Sequence, residues 1–334
     1  MGNIKKAAAQ SNTKTTKVQK SSGTGVTLSG KLPIILSMED YPLVEDILIV
    51  GCGGTGAYVV SHLARLISVV NKIRNRGPSY NASRTVKLFL ADGDIVEDKN
   101  LIRQHFIAQD IGRNKAEVLG ERYSGAFGIQ IGVIPKDIEN QSDLDLLALN
   151  GNCSTVIVGC VDNNASRKVI REWFLGTRDG SMDNVHYKHN FSSKFWIDGG
   201  NEERNGQVVC GYRPSSRGKY GSPKVKPSSV RSSTGGEFSL PCTTEIYPNL
   251  LDEVGQFNSQ ISCAERAVSA PQNMQTNVTT ATLIMNYLNK IIVGEPIKSH
   301  CVEFSIDNNF STKLNTPENI AIVDSVRRRG WEKK

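Results

Sequence analysis

Apolar positions along this chain follow two spacings in alternation. Ile47-Leu48-Ile49-Val50 is an unbroken apolar run, the mark of a strand covered on both faces, and it leads directly into Gly51, Gly53, Gly54 and Gly56. Val59, Val60, Leu63, Ile67 and Val70 then recur at helical spacing, so this stretch reads strand, glycine turn, helix. A polar segment, 71–85, separates that helix from a second strand, Val86–Ala91, which ends on Asp92. Further strands are predicted at Ile129–Ile134 and Thr155–Gly159, with helices near Leu144–Leu149 and over 163–175. Beyond residue 195 the pattern changes to strands at Phe195–Ile197 and Gln207–Tyr212, a helix over roughly 276–292, and strands at Cys301–Ile306 and Ile320–Val323. The expected fold is α/β, a Rossmann-like, mostly parallel sheet with helices on both faces and an antiparallel extension in the C-terminal half. No internal repeat interrupts it.

Polar segments set the expected domain limits. Residues 1–30 read as a disordered basic tail, 31–325 as one domain with a flexible insert at 213–236 and a long loop at about 237–272, and 326–334 as a basic C-terminal tail. The net charge of +7 draws attention to nucleic acid, yet six lysines in 1–31 and six cations in 213–231, with no acid among them, exceed that whole excess. The remainder is slightly acidic, so solvated segments are the simpler reading and nucleic acid is not an expected partner. No apolar run reaches 18 residues and no apolar core follows the N-terminal lysines, so no membrane association is expected and the location expected is cytoplasmic. The Met-Gly start carries Lys6 where an acylation signal needs Ser or Thr. Seven cysteines without a Cys-x-x-Cys pair read as free thiols in a reducing compartment, with no structural zinc.

Where a strand runs into glycines and a helix, backbone amides and the helix dipole make a phosphate site, and glycine lets the backbone approach. Gly51-x-Gly53-x-x-Gly56 has that context. Alone it is compatible with a tight turn that binds nothing, or with a dinucleotide enzyme. The acidic residue for ribose hydroxyls, Asp92, comes about 40 residues after the first glycine instead of about 20. Polar side chains then crowd the segment Asp92-Gly93-Asp94-Ile95-Val96-Glu97-Asp98-Lys99-Asn100-Leu101-Ile102-Arg103-Gln104, for which hydride transfer has little use. Singly, Asp92 and Asp162 read equally well as helix caps, Arg103 and Lys115 as solvated cations, and Asn100 as a turn residue.

Together, Asp92-x-Asp94-x-Val96, Asn100-Leu101-x-Arg103-Gln104, Gly112-x-x-Lys115 and Asp162-Asn163-x-x-x-Arg167 closely resemble the motifs of the ThiF/MoeB/ubiquitin-activating (E1-like) family. The resemblance extends over roughly 44–306, including Gly206-Gln207-Val208 and the late helix. It implies that the glycine turn binds ATP, that Asp92 holds the ribose, that Asn100, Arg103, Gln104 and Lys115 surround the phosphates, and that Asp94 and Asn163 also belong to the nucleotide site. Asp162 would coordinate Mg2+. The implied reaction is adenylation of the C-terminal carboxylate of a small ubiquitin-like (β-grasp) or sulfur-carrier-like protein ending in glycine, with or without a following thioester. A homodimer is also implied, although residues 38–46 offer no arginine of the kind that reaches into a neighbouring site in MoeB-like dimers. The compact length resembles bacterial, plasmid or phage members of the family.

Two cysteines compete for a thioester role. Cys263 stands shortly before the late helix, where ThiF-like proteins carry a crossover-loop cysteine; Cys242 precedes Thr243 and Pro248 in a segment resembling the nucleophile region of some eukaryotic relatives. Neither being a nucleophile is the third reading. The remaining cysteines read as buried apolar residues, and His186 and His189 as a surface loop without a third metal ligand. Two other classes stay open at this point: a non-catalytic scaffold with the same fold, and an NAD(P)-dependent oxidoreductase.

Overall fold

The computed structural model describes residues 36, 43–75, 85–145, 147, 153–176, 192–214, 239–251, 274–307 and 311–315. Its frame is set by β1 (Val44–Val50), whose side chains alternate between two packed faces: Ile47 and Ile49 enter one apolar core, Leu48 and Val50 the other. A strand buried on both sides has no reason to alternate polar with apolar, which is why its run is unbroken. It pairs in parallel with β2 (Lys87–Ala91) and β4 (Ser154–Gly159); β3 (Ile131–Ile134) adds outside β2, and β5 (Ser193–Asn201) outside β4, again in parallel. Three antiparallel strands complete the sheet: β6 (Asn205–Arg213), β7 (Cys301–Ser305) and β8 (Ser311–Asn315). The order is β3-β2-β1-β4-β5-β6-β7-β8, the Rossmann-like fold with the antiparallel extension expected.

Three helices cover one face. They are α1 (Gly54–Arg74), α2 (Lys115–Phe127) and α4 (Met274–Val293), whose Leu63, Ile67, Leu119, Ile284 and Leu288 share a core with β1, β2 and β4. The other face is covered by α3 (Asn164–Leu175), through Ile170, Trp173 and Phe174, with Trp196 of β5 beneath them. Trp173 and Phe174 are nearly fully buried, and the Phe174 and Trp196 rings meet edge to face at 6.0 Å.

Several expectations change. The helix expected near 144–149 is, where described, a 3-10 turn over Gln141–Leu144. Asp143 accepts from the Glu139 and Asn140 amides, and Asn140 from that of Ser142, local bonds that compete with helix formation. The helix α2 and the edge strand β8 appear without a sequence expectation, and β5 runs four residues past Ile197. The tails, His186, His189, Cys263, the strand at 320–323, and most of the insert and long loop lie outside the described residues. Among described helices none is long and apolar enough to cross a membrane.

Candidate active site

At the carboxyl ends of β1, β2, β4 and β5 the sheet opens into a cavity of about 410 Å³. The glycine turn makes its floor. Gly51 has φ +92°, and a Cβ there would lie 2.6 Å from the Cys160 carbonyl oxygen, so β4's exit packs directly on the turn. At Gly56 a Cβ would fall on the Gly51 carbonyl, which ties the start of α1 to the strand before it. Gly51, Gly53, Gly54 and Thr55 line the cavity, while Gly56 supports it from behind. The amino end of α1 carries no side-chain cap, leaving first-turn amides and the positive end of the helix dipole on the cavity side.

Beyond β2, Asp92 is buried, its Oδ2 taking the Cys52 amide and its Oδ1 the Asp94 amide at 2.8 Å. Burial pushes this carboxyl up to about 6, against the opposing pull of Lys115. Lys115, at the start of α2, is itself buried and donates from Nζ to Asp94 Oδ2 at 2.7 Å. Asn114 joins the two: its Oδ1 caps α2 by accepting from Ala116 and Glu117, and its Nδ2 donates to the Asp92 and Asp94 carbonyls. Between them the chain makes a tight turn whose Asn100, buried, accepts the Glu97 amide on Oδ1 at 2.9 Å. Arg103 and Gln104 follow that turn, their amides bonded to the Asn100 carbonyl, and both line the cavity. Gln104 Oε1 is buried without a hydrogen-bond partner among the described residues.

Opposite, the β4–α3 loop contributes an exposed Asp162 and Asn163, whose Oδ1 caps α3 on the Ser166 amide. Arg167 fastens this loop. Its Nη2 donates to the Val161 carbonyl at 2.7 Å and its Nε lies 3.2–3.3 Å from both oxygens of Asp198 on β5. Asp198 is buried, and desolvation raises its carboxyl while Arg167 opposes the rise. Asn201, where β5 ends, donates to Thr55 Oγ1 at 3.1 Å and to Asn277 of α4.

Asp92, Asp94, Asn100, Arg103, Gln104, Lys115, Asp162 and Asn163, scattered over some seventy residues of chain, thus come together around one cavity beside the glycine turn. Cys242 is not among them. It is fully buried against the α3 face of the sheet, its Sγ 3.4 Å from Thr244 Oγ1, and burial pushes its thiol up to about 12. A thiol held neutral in that way is a poor nucleophile. Sequence reasoning did not single out Asn114, Asp137, Asp198 or Asn201; Asn114 carried a usable signal, an N-cap residue directly before a polar-apolar helical stretch.

The residues present suit a nucleotide with a cation. An unpartnered buried acceptor on Gln104, free amides at α1, and two cations beside an acid-rich rim match ribose hydroxyls and phosphates. No group of three His, Cys, Asp or Glu poised for a metal occurs among the described residues; one exposed carboxylate, Asp162, suits an ion whose other ligands are phosphate and water.

The cavity sits where strand order reverses, between β1 and β4, the place at which open α/β sheets take their ligands. Within that class the chain belongs to the ThiF family, which it matches over residues 44–319. Solved structures similar to it include selenomethionine PaaA (15% identity, TM-score 0.47, covering 81% of this chain and 64% of that one). They also include E. coli MccB with ATP (19%, 0.47, 84% and 66%) and E. coli MccB with AMPCPP and selenomethionine MccA (18%, 0.47, 84% and 65%). The chain spans just under two thirds of the length of each. No curated protein matches it.

Proposed function

We propose that this protein adenylates the C-terminal carboxylate of a small ubiquitin-like or sulfur-carrier-like protein, using ATP and Mg2+. The observation that carries the reading is the convergence of Asp92, Arg103, Lys115 and Asp162 on one cavity floored by the glycine turn.

In this reading Asp92 and Gln104 face the ribose, and the turn amides with the amino end of α1 face the phosphates. A carboxylate oxygen of the partner attacks the α-phosphorus, forming the acyl–phosphate bond as the bond to pyrophosphate breaks. Negative charge grows on the phosphoryl oxygens and on the departing pyrophosphate, and Arg103 and Lys115 stabilise it in place. Lys115 would exchange its Asp94 partner for a phosphate oxygen as ligand enters. Asp162 would hold Mg2+, which supplies neutralising charge at the phosphates. Residues 31–325 form the adenylation domain of this proposal, working as a cytoplasmic homodimer. If a thioester follows, the burial of Cys242 favours Cys263 as the thiol that displaces AMP.

The test is exchange of labelled pyrophosphate into ATP with a small β-grasp protein ending in glycine. Exchange should depend on that partner and fall about a hundredfold or more in Arg103→Ala and Asp162→Ala, with unfolding midpoints unchanged. Undiminished exchange in either variant, or ATP binding without exchange for any such partner, removes the proposal.

A further inference from the structure

Strand ends follow one another along the cavity in the order β3, β2, β1, β4, β5, and the first four each present a different group: Asp137 after β3, Asp92 after β2, the glycine turn after β1, Asp162 after β4. Under the nucleotide reading above, on which this inference rests, phosphates lie over the turn towards Asp162 and the ribose lies at Asp92. The base, bonded to the ribose, then continues the same direction across the edge and reaches the end of β3. We infer that Asp137 reads the base, accepting a hydrogen bond from the exocyclic amino group of adenine and so setting preference for a 6-aminopurine nucleotide.

Three observations support this assignment. The carboxylate lines the cavity while only partly buried, so one side faces the ligand space. Its Oδ1 accepts the Gly93 amide at 3.2 Å, one residue from Asp92, which fixes the side chain against the loop that would hold the ribose. That loop is itself tied to β3, since the Asp92 amide donates to the Ile134 carbonyl at 3.2 Å. A Cβ at Gly93 would lie 3.0–3.1 Å from Asp137, so the contact is close enough to be position-defining. Burial, with Asp94, Glu139 and Asp162 nearby, raises this carboxyl, and an N–H donor on its second oxygen would hold it ionised, an acceptor only. That oxygen, which takes no hydrogen bond from the described residues, therefore suits an amino group and opposes a carbonyl at the same place.

Binding of three magnesium nucleotides to the full chain, followed by calorimetry, separates the alternatives: ATP, purine riboside triphosphate, which lacks the amino group, and ITP, which has an oxo group there. The wild type should bind ATP about tenfold or more tightly than either analogue, the scale of one hydrogen bond to a charged group. In Asp137→Ala the ATP to purine riboside ratio should fall to about one. Asp137→Asn keeps an oxygen for Gly93 and turns an amide N–H2 to the base, so it should favour ITP over ATP relative to wild type, and it serves if the alanine variant folds poorly. Ratios unchanged in the folded variants overturn the role of Asp137 while leaving the nucleotide site intact. Absence of binding for all three nucleotides to wild type overturns the underlying reading itself.

Discussion

Two sides of the cavity are each backed by a buried carboxylate, and they hold it differently. Asp92, on the β2 side, is satisfied by backbone amides at Cys52 and Asp94. Asp198, on the β5 side, is satisfied by a guanidinium that comes from α3, 31 residues away. Amides cannot leave and carry no net charge, so the first end is built by local chain geometry and its acid remains close to a proton. A guanidinium is a full charge whose removal strands its partner, so the second end depends on a charged side chain, with Thr243 and Trp196 also beside the acid. The difference separates a site wall made of main chain from one made of side chains.

Breaking the pair should give the largest effect. Arg167→Ala leaves Asp198 buried without its cation and frees the Val161 carbonyl, and urea unfolding should show a loss of about 3–5 kcal/mol. A loss under about 1 kcal/mol would mean that the two walls are alike after all.

The other wall is tested by pH. The Asp92 carboxyl sits at about 6 in the folded protein, above its unfolded value, so the folded state binds that proton more tightly. Its contribution to stability is fully present below about pH 4 and is lost as pH rises through about 6, by about 3 kcal/mol across that window. Asp198, also raised by burial, adds a slope of the same sign, so the informative quantity is the difference between wild type and Asp92→Asn in urea unfolding from pH 4 to 7. Parallel curves for the two proteins would place the proton elsewhere.

The smallest effect sharpens the comparison. Asn114→Ala removes a helix cap and two hydrogen bonds to the carbonyls of Asp92 and Asp94 on the main-chain side, and should cost about 1–2 kcal/mol. Water can replace part of what is lost there, which it cannot do for Asp198.

The same contrast decides what was legible in the sequence. The β1–α1–β2 segment could be read because both faces of β1 are apolar and the glycines follow without a gap. Asp92, Arg103, Lys115 and Asp162 were grouped by the resemblance of their motifs to a known family, and the cavity they line is a matter of strand ends that the strand order brings side by side. Helix α2 escaped because Gly120, Gly125 and exposed polar residues dilute its apolar stripe to Ala116, Val118 and Leu119 near one end. The end of β5 reads as a loop, Asp198-Gly199-Gly200, yet it is strand. Arg167 accounts for the buried acid, and the missing Cβ at Gly199 leaves room for Thr280 and Ile284 of α4. The polar strand β8 has no apolar pattern to announce it and is recognised only by its pairing with β7. Partnerships between residues far apart in the chain, such as Arg167 with Asp198 or Asn201 with Thr55, leave no local trace.

One small feature has a mechanical outcome. Asn114 grips the carbonyls of Asp92 and Asp94, just past the end of β2, with one end of its amide and the first amides of α2 with the other. The backbones that carry Lys115 and Asp92 are therefore mounted on a common bracket, unable to drift apart as a visitor arrives. Adjustment to an incoming anion at this end must come from rotation of the lysine side chain alone, with the scaffold already at rest in its working shape.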